Sequence, residues 1–125
     1  MYSKTETLIF LGIASISGLA NAIQVGYGQQ IQNSDQTNHW VIWVEGDHAC
    51  PGMSVIGSLA GSSCGQGFVV DGSYYQFGGC GGGNEPGQLL DSSGSSIGGC
   101  SRKDNGYKIS CHDGLHDIVK HGVCG

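Results

Sequence analysis

Between Ile23 and Ser101 the chain has no lysine and no arginine. The basic residues beyond that stretch, Arg102, Lys103, Lys108 and Lys120, are spread among aspartates rather than clustered. A phosphate-binding surface draws its affinity from releasing counterions to several adjacent cations, so no nucleic-acid partner is expected. The N-terminal apolar stretch is too short, and too interrupted by serine and glycine, for a stable membrane span, and no other segment comes close, so no stable membrane insertion is expected. The end of the chain carries no hydrophobic tail, which argues against a lipid-anchored product. No Asn-x-Ser/Thr triplet is present, so N-linked glycosylation is not expected either.

Cysteine is not scarce, but its informative spacings are missing. There is no C-x-x-C pair, which disfavours structural zinc and thioredoxin-like redox chemistry. There is also no adjacent Cys-Cys pair and no Cys-x-x-x-Cys half-pattern of the defensin-like kind. The six cysteines, Cys50, Cys64, Cys80, Cys100, Cys111 and Cys124, are instead separated by long, even intervals. All lie beyond residues 1–22, which read as a secretory signal. Lys4 sits in a short polar start, an apolar run follows from Leu8 to Ala14, and Ala20-Asn21-Ala22 gives a small-x-small cleavage pattern. An even set of cysteines in a short exported chain reads as a disulfide framework, and the expected location is outside the cell.

Removal of 22 of the 125 residues would leave 103, enough for one domain. The formal charge of −5 survives that cleavage, because Lys4 and Glu6 cancel. Glycine is abundant, at 24 residues. Each glycine in a regular element costs about 0.5–1 kcal/mol relative to alanine, and each disulfide offsets this by about 2–4 kcal/mol. A Gly-rich chain with a light core needs covalent staples.

Along the chain, residues 23–38 read as a polar arm rich in Gln and Asn, with an edge strand near Ile23–Tyr27. Residues 39–125 form the single disulfide-rich domain. His39–Glu45 (HWVIWVE) is the strongest strand signal, with Trp40, Ile42 and Val44 on one face and Val41 and Trp43 on the other. Two largely apolar faces predict a central strand covered on both sides. Pro51–Ala60 reads as a short helix, from the four-residue spacing of Val55 with Leu59 and of Ile56 with Ala60. Phe68–Val70 and Ser73–Phe77, joined by Asp71-Gly72, predict a two-residue hairpin. Gly81–Gly99 reads as a low-complexity loop and Tyr107–Cys111 as a last strand. A second helix is expected after an Asp113 N-cap, with Leu115, Ile118 and Val119 as its stripe, Lys120 and His121 near its end, and Gly122 as C′ residue. The expected class is α+β: a small disulfide-stapled domain with an antiparallel sheet and one or two short helices.

Three groups of residues bear on chemistry. His112, His116 and His121, with Asp113 and Asp117 between them, are the metal candidates. On the expected helix, His116, Asp117 and Lys120 instead form a solvated polar face, so no metal or other cofactor is predicted. Glu45, Asp47, His48, Arg102 and a C-terminal histidine hold the residue types of an acid–base site. No spacing among them matches a mechanistic motif, so no catalytic residue is assigned and no enzyme is expected. Trp43, Tyr74 and Tyr75 are candidates for an aromatic platform that stacks on sugar rings, against the alternative of core and cross-strand pairs.

The signal with its Ala-Asn-Ala site, the Gly-rich mature chain and the six spaced cysteines resemble small secreted cysteine-rich proteins of fungi. Many of those are virulence effectors or killer-toxin-like antimicrobial proteins. The order strand, helix, hairpin, strand, helix is similar to the small α/β sandwiches among killer-toxin-like effectors. The resemblance implies a secreted protein that binds an extracellular protein or glycan of a host or competitor. A killer-toxin-like antimicrobial protein or a carbohydrate-binding module is the alternative. The acidic balance suits membrane attack less well than a cationic surface would.

Overall fold

The computed structural model describes residues 23–31, 38–112 and 116–125. Nine strands and one helical turn lie among the described residues: β1 (Val25–Gln30), β2 (His39–Val44), α1 (Ala49–Gly52), β3 (Ser54–Ser58), β4 (Gly67–Val70), β5 (Ser73–Gly78), β6 (Gln88–Leu90), β7 (Ser96–Ser101), β8 (Lys108–Ile109) and β9 (Ile118–Cys124). All pairings are antiparallel, in the order β3-β2-β1-β9-β7-β6-β5-β4. The free edge of β9 is shared, with β7 pairing near Cys124 and β8 near Ile118. The two ends of the order, β3 and β4, come back into contact without a hydrogen-bonded ladder, which leaves a nearly closed barrel.

This overturns the α+β expectation. Among the described residues strand accounts for 48% and helix for 4%, with no helix of seven residues or more. The expected helix over Pro51–Ala60 is one helical turn followed by β3, whose Ile56 is buried and Val55 exposed. The four-residue spacing there is incidental. β-branched Val55 and Ile56 follow the two-residue alternation of a strand, and pairing with β2 from His39↔Ser58 to Ile42↔Ser54 decides the outcome. The expected C-terminal helix is β9 instead, paired with β1 along its length. Its Asp113 cap and Leu115 lie outside the described residues.

Two further expectations change. The polar arm contains β1, a central strand between β2 and β9 rather than an edge. The Gly81–Gly99 segment contains β6 and the start of β7, joined by a turn in which Asp91 Oδ1 accepts from the Ser93 and Ser95 backbone N–H groups and the Ser93 hydroxyl. The hydroxyl bond, then the Ser95 amide, hold the Asp91 carboxyl below its ordinary range. The hairpin forms as its sequence predicts: Val70 pairs with Ser73 across Asp71 (φ 50°) and Gly72 (φ 81°), the left-handed pair that a two-residue turn of this kind requires.

The barrel interior is filled by side chains, chiefly Val25, Tyr27, Trp40, Ile42, Ile56, Phe68, Val70, Phe77 and Leu89. Rings pack edge-to-face or tilted, with Tyr27 5.7 Å from Phe77 and Phe68 5.1 Å from Phe77. A second layer covers the outside of β2: Val41, Trp43, Ala49 and Ile118 pack with Met53, Ile109 and Cys111. The two faces of HWVIWV are therefore both buried, Trp40 and Ile42 inward and Val41 and Trp43 outward.

Three disulfides join Cys50–Cys111, Cys64–Cys80 and Cys100–Cys124, and no cysteine is free. The first ties α1 to the segment after β8 and so clamps the outer layer. The third links directly paired residues of β7 and β9. No helix among the described residues is long and apolar enough to cross a membrane.

Candidate functional site: a groove on the outer layer

The interior is filled, and three hollows among the described residues lie near α1 and β2. The middle one, about 280 Å3, is lined by Trp43, Glu45, Asp47, His48, Asp104, Tyr107 and Lys120 among others. It adjoins a hollow of about 420 Å3 lined by His48, Ala49, Cys50, Pro51, Ile109, Ser110 and His112. On its other side, Trp43 and Asp47 are shared with a hollow of about 250 Å3 between β2, β3 and β4. The middle hollow thus shares lining residues with each of the other two, and the row of three is called the groove below.

Local chain geometry sets each polar group in the middle hollow. β2 ends in a turn closed by the Asp47 N–H donating to the Val44 carbonyl at 3.0 Å, with Gly46 at φ 97°. Only glycine enters that region without strain, and the turn sets Glu45 and Asp47 on the groove. Opposite, the Gly106 N–H donates to the Lys120 carbonyl and the Lys120 N–H to the Tyr107 carbonyl, both at 2.8 Å. This pins the 104–107 turn to β9 and brings Asp104 and Tyr107 to the rim.

Lys120 is the centre of the site. It is buried, yet its Nζ lies 2.8 and 3.1 Å from the two Glu45 carboxylate oxygens and 3.3 Å from Asp104 Oδ2. Burial works against the ammonium, but the bonds to Glu45 and then Asp104 outweigh it, and the net shift raises its pKa. An ammonium has three donors, and three acceptor oxygens occupy them. Lys120 is thus held as a cation and not offered as a base. As a residue of the expected helix it would have been solvated; as part of β9 it faces the carboxylates of the outer layer.

A bulge in β9 separates Lys120 from His121. Tyr27 pairs with Gly122 and Gly28 with Lys120, so His121 is the unmatched extra residue. Bulges re-aim side chains, and here the imidazole packs against the barrel end, 5.2 Å from the Trp40 ring and 6.3 Å from the Tyr27 ring. Its Nδ1 lies 2.9 and 3.2 Å from the Glu85 carboxylate oxygens. That pair, with the Ser63 hydroxyl and N–H both donating to the Asn84 carbonyl, fastens the Gly-rich 81–87 segment to the barrel. Burial raises the Tyr27 pKa and the nearby Glu85 charge adds to it, against a smaller opposing effect of Arg102.

The structure thus divides the residues singled out from sequence. Glu45, Asp47 and His48 do line one hollow. Arg102 does not join them; its guanidinium donates to the His121 carbonyl and to Asn105 Oδ1. The three histidines have separate surroundings, His112 on the end hollow, His121 on Glu85 and His116 on neither, and no group of three or more metal-ligating side chains gathers among the described residues. Asp117 is a structural acceptor: its carboxylate takes the Cys111 N–H at 2.8 Å and an ion pair from Lys108, and the first of these lowers its pKa most. The aromatic trio does not form a platform. Trp43 is 3% exposed, and Tyr75 packs against the core beside Phe68. Tyr74 is exposed but lies over Gly67 on the far strand pair. Sequence reasoning missed Asp104 and Tyr107, for which the Asp-Asn-Gly turn was the available signal, and Lys120, whose role depends on strand pairing.

Family models, curated proteins and solved structures show no match to this chain. Fold and site together define a disulfide-stapled antiparallel barrel with a filled interior and an acidic groove on its outer layer.

Proposed function

We propose that this is a secreted, effector-like protein that acts by binding an extracellular component of a host or competitor through the groove beside α1. The observation that carries the reading is the groove itself: three hollows in a row, the middle one sharing lining residues with each neighbour, on a barrel whose interior is filled. Clefts with a few convergent polar groups are where proteins take ligands. Binding fits the site better than catalysis, because its one buried cation is saturated by carboxylates. The three disulfides support an extracellular life.

The test immobilises the protein and passes extracellular protein and polysaccharide fractions over it, comparing wild type with Asp47→Arg and Tyr107→Ala. Ile97→Ser serves as control, since Ile97 is exposed and lines none of the three hollows. Retention lost in the groove variants and kept in the control is the expected result. Retention that ignores the groove variants, or no retention of either fraction, removes the reading.

A further inference from the structure

The groove ends at the one place where the barrel fails to close. β3 pairs only with β2 and β4 only with β5, so each has an edge with no strand partner facing the seam. Natural edge strands are guarded by lysine, proline or inward charge. Here the two strands read SVIGS and GFVV, without a charge or a proline. At one end the seam is shut, with the Gln66 side chain over Gly57. At the other it opens into the hollow of about 250 Å3 reached by Val44, Ser54, Val70 and Asp71.

That opening shares Asp47 and Trp43 with the middle hollow, where the charge does not balance. Three carboxylates, Glu45, Asp47 and Asp104, face a single ammonium. Lys120 is engaged by Glu45 and Asp104, while the Asp47 side chain makes no hydrogen bond or ion pair among the described residues. Beside them Tyr107 is 64% exposed, and on the face of its ring a cation gains about 0.5–1 kcal/mol.

We infer that the groove takes an extended, lysine- or arginine-bearing segment of a partner protein, whose main chain hydrogen-bonds to the strand ends at the open end of the seam, beside Ser54 and Val70, and whose cationic side chain enters the acidic hollow against Asp47 and Tyr107. The inference rests on the binding reading above and gives the partner its chemistry. Two independent features meet in it: an unguarded strand edge, which recognises backbone amides, and an uncompensated acidic hollow, which recognises a cation. A polysaccharide carrying amines would satisfy the second but offers no strand to the first.

The experiment uses the disulfide-intact protein and synthetic peptides of about nine residues, read by titration calorimetry. One peptide alternates Val and Lys, a second alternates Val and Glu, and a third is the Val-Lys peptide N-methylated at alternate residues so that it cannot form a ladder. An amino-sugar oligomer is the fourth ligand. The Val-Lys peptide should bind, with the Val-Glu and N-methylated peptides weaker by about tenfold or more, and Asp47→Asn and Tyr107→Ala each weakening the Val-Lys peptide several-fold. Equal affinity for the Lys and Glu peptides, undiminished binding after N-methylation, or binding of the amino-sugar oligomer alone overturns it. If no peptide binds while groove variants still abolish retention of an extracellular fraction, the peptide inference fails and the binding reading stands.

Discussion

The ammonium of Lys120 contacts both carboxylate oxygens of Glu45, 75 residues away in sequence, and so fastens the end of β2 to β9 under the groove floor. Removing one member of a buried ion pair leaves the other charge without compensation, which costs about 3–5 kcal/mol. Asp104, more than half exposed, has water as a substitute partner. Lys120→Ala should therefore destabilise by about 3 kcal/mol, the lower end of that range. Urea unfolding with unchanged slope would show it; a loss below about 1 kcal/mol would mean that the pair is solvated.

The same group sets an alkaline limit. Its pKa is raised in the folded protein, so its contribution is fully present below the unfolded value and is lost as pH climbs through the folded one, above the ordinary 10.5. Asp91 and Asp117 have the opposite sign. Their pKa values are lowered on folding, so what they contribute is present above the ordinary 3.8 and is lost as pH falls below it. A thermal-stability profile should be flat between these windows and fall at both ends. Asp117→Asn should remove part of the acid limb; an identical acid limb in wild type and variant would exclude Asp117 from it.

The three disulfides should not be equivalent. Loop closure favours the widest span, and Cys50–Cys111 encloses a separation of 61 residues against 16 and 24 for the others. By the chain-entropy relation, replacing both of its cysteines by alanine costs about 4 kcal/mol, against about 3 kcal/mol for either other pair. The measurement is the denaturation midpoint of each double variant. If the Cys50/Cys111 variant is the most stable of the three, native-state strain and not loop entropy governs this framework.

Trp43 lies across Gly26 on the outside of the barrel, where any β-carbon would meet the indole. Gly26→Val should swing the ring out of the second layer, at about 1–3 kcal/mol for overpacking. The visible sign is a red-shifted tryptophan emission together with loss of groove binding. An unshifted spectrum would show that β1 yields instead.

Secretion has a direct check. Protein recovered from the medium should begin at Ile23 and carry three disulfides by intact mass before and after reduction and alkylation. A mass that includes residues 1–22 would remove the signal-peptide reading.

Where the local chain holds the information, sequence reading succeeded. Asp71-Gly72 specifies its hairpin because two left-handed residues in succession admit few alternatives, and HWVIWV announces two covered faces. It failed where partners are remote. Val55 and Ile56 suit a helix face or an alternating strand, and only β2 chooses between them. Ile118-Val119-Lys120 is read by β1, where Ile118 pairs with Gln30, 88 positions earlier. Lys120 was thus placed in solvent by the helix reading, and with it went the groove. Glu45, Asp47 and His48 were legible as a polar cluster because they fall within four positions, whereas Asp104 and Tyr107 reach them only through the pinning of their turn to β9.

The pairing of the first strand with the last has a consequence for biogenesis. β1 waits on one side for β9, which also carries the partners of β7 and β8. A fragment that stops short of β9 leaves β1 without its partner, so the barrel closes only after β9 has left the ribosome. Because Cys100 and Cys124 are register partners in that step, oxidation of this pair should report arrival of β9 and serve as a clock for closure of the barrel.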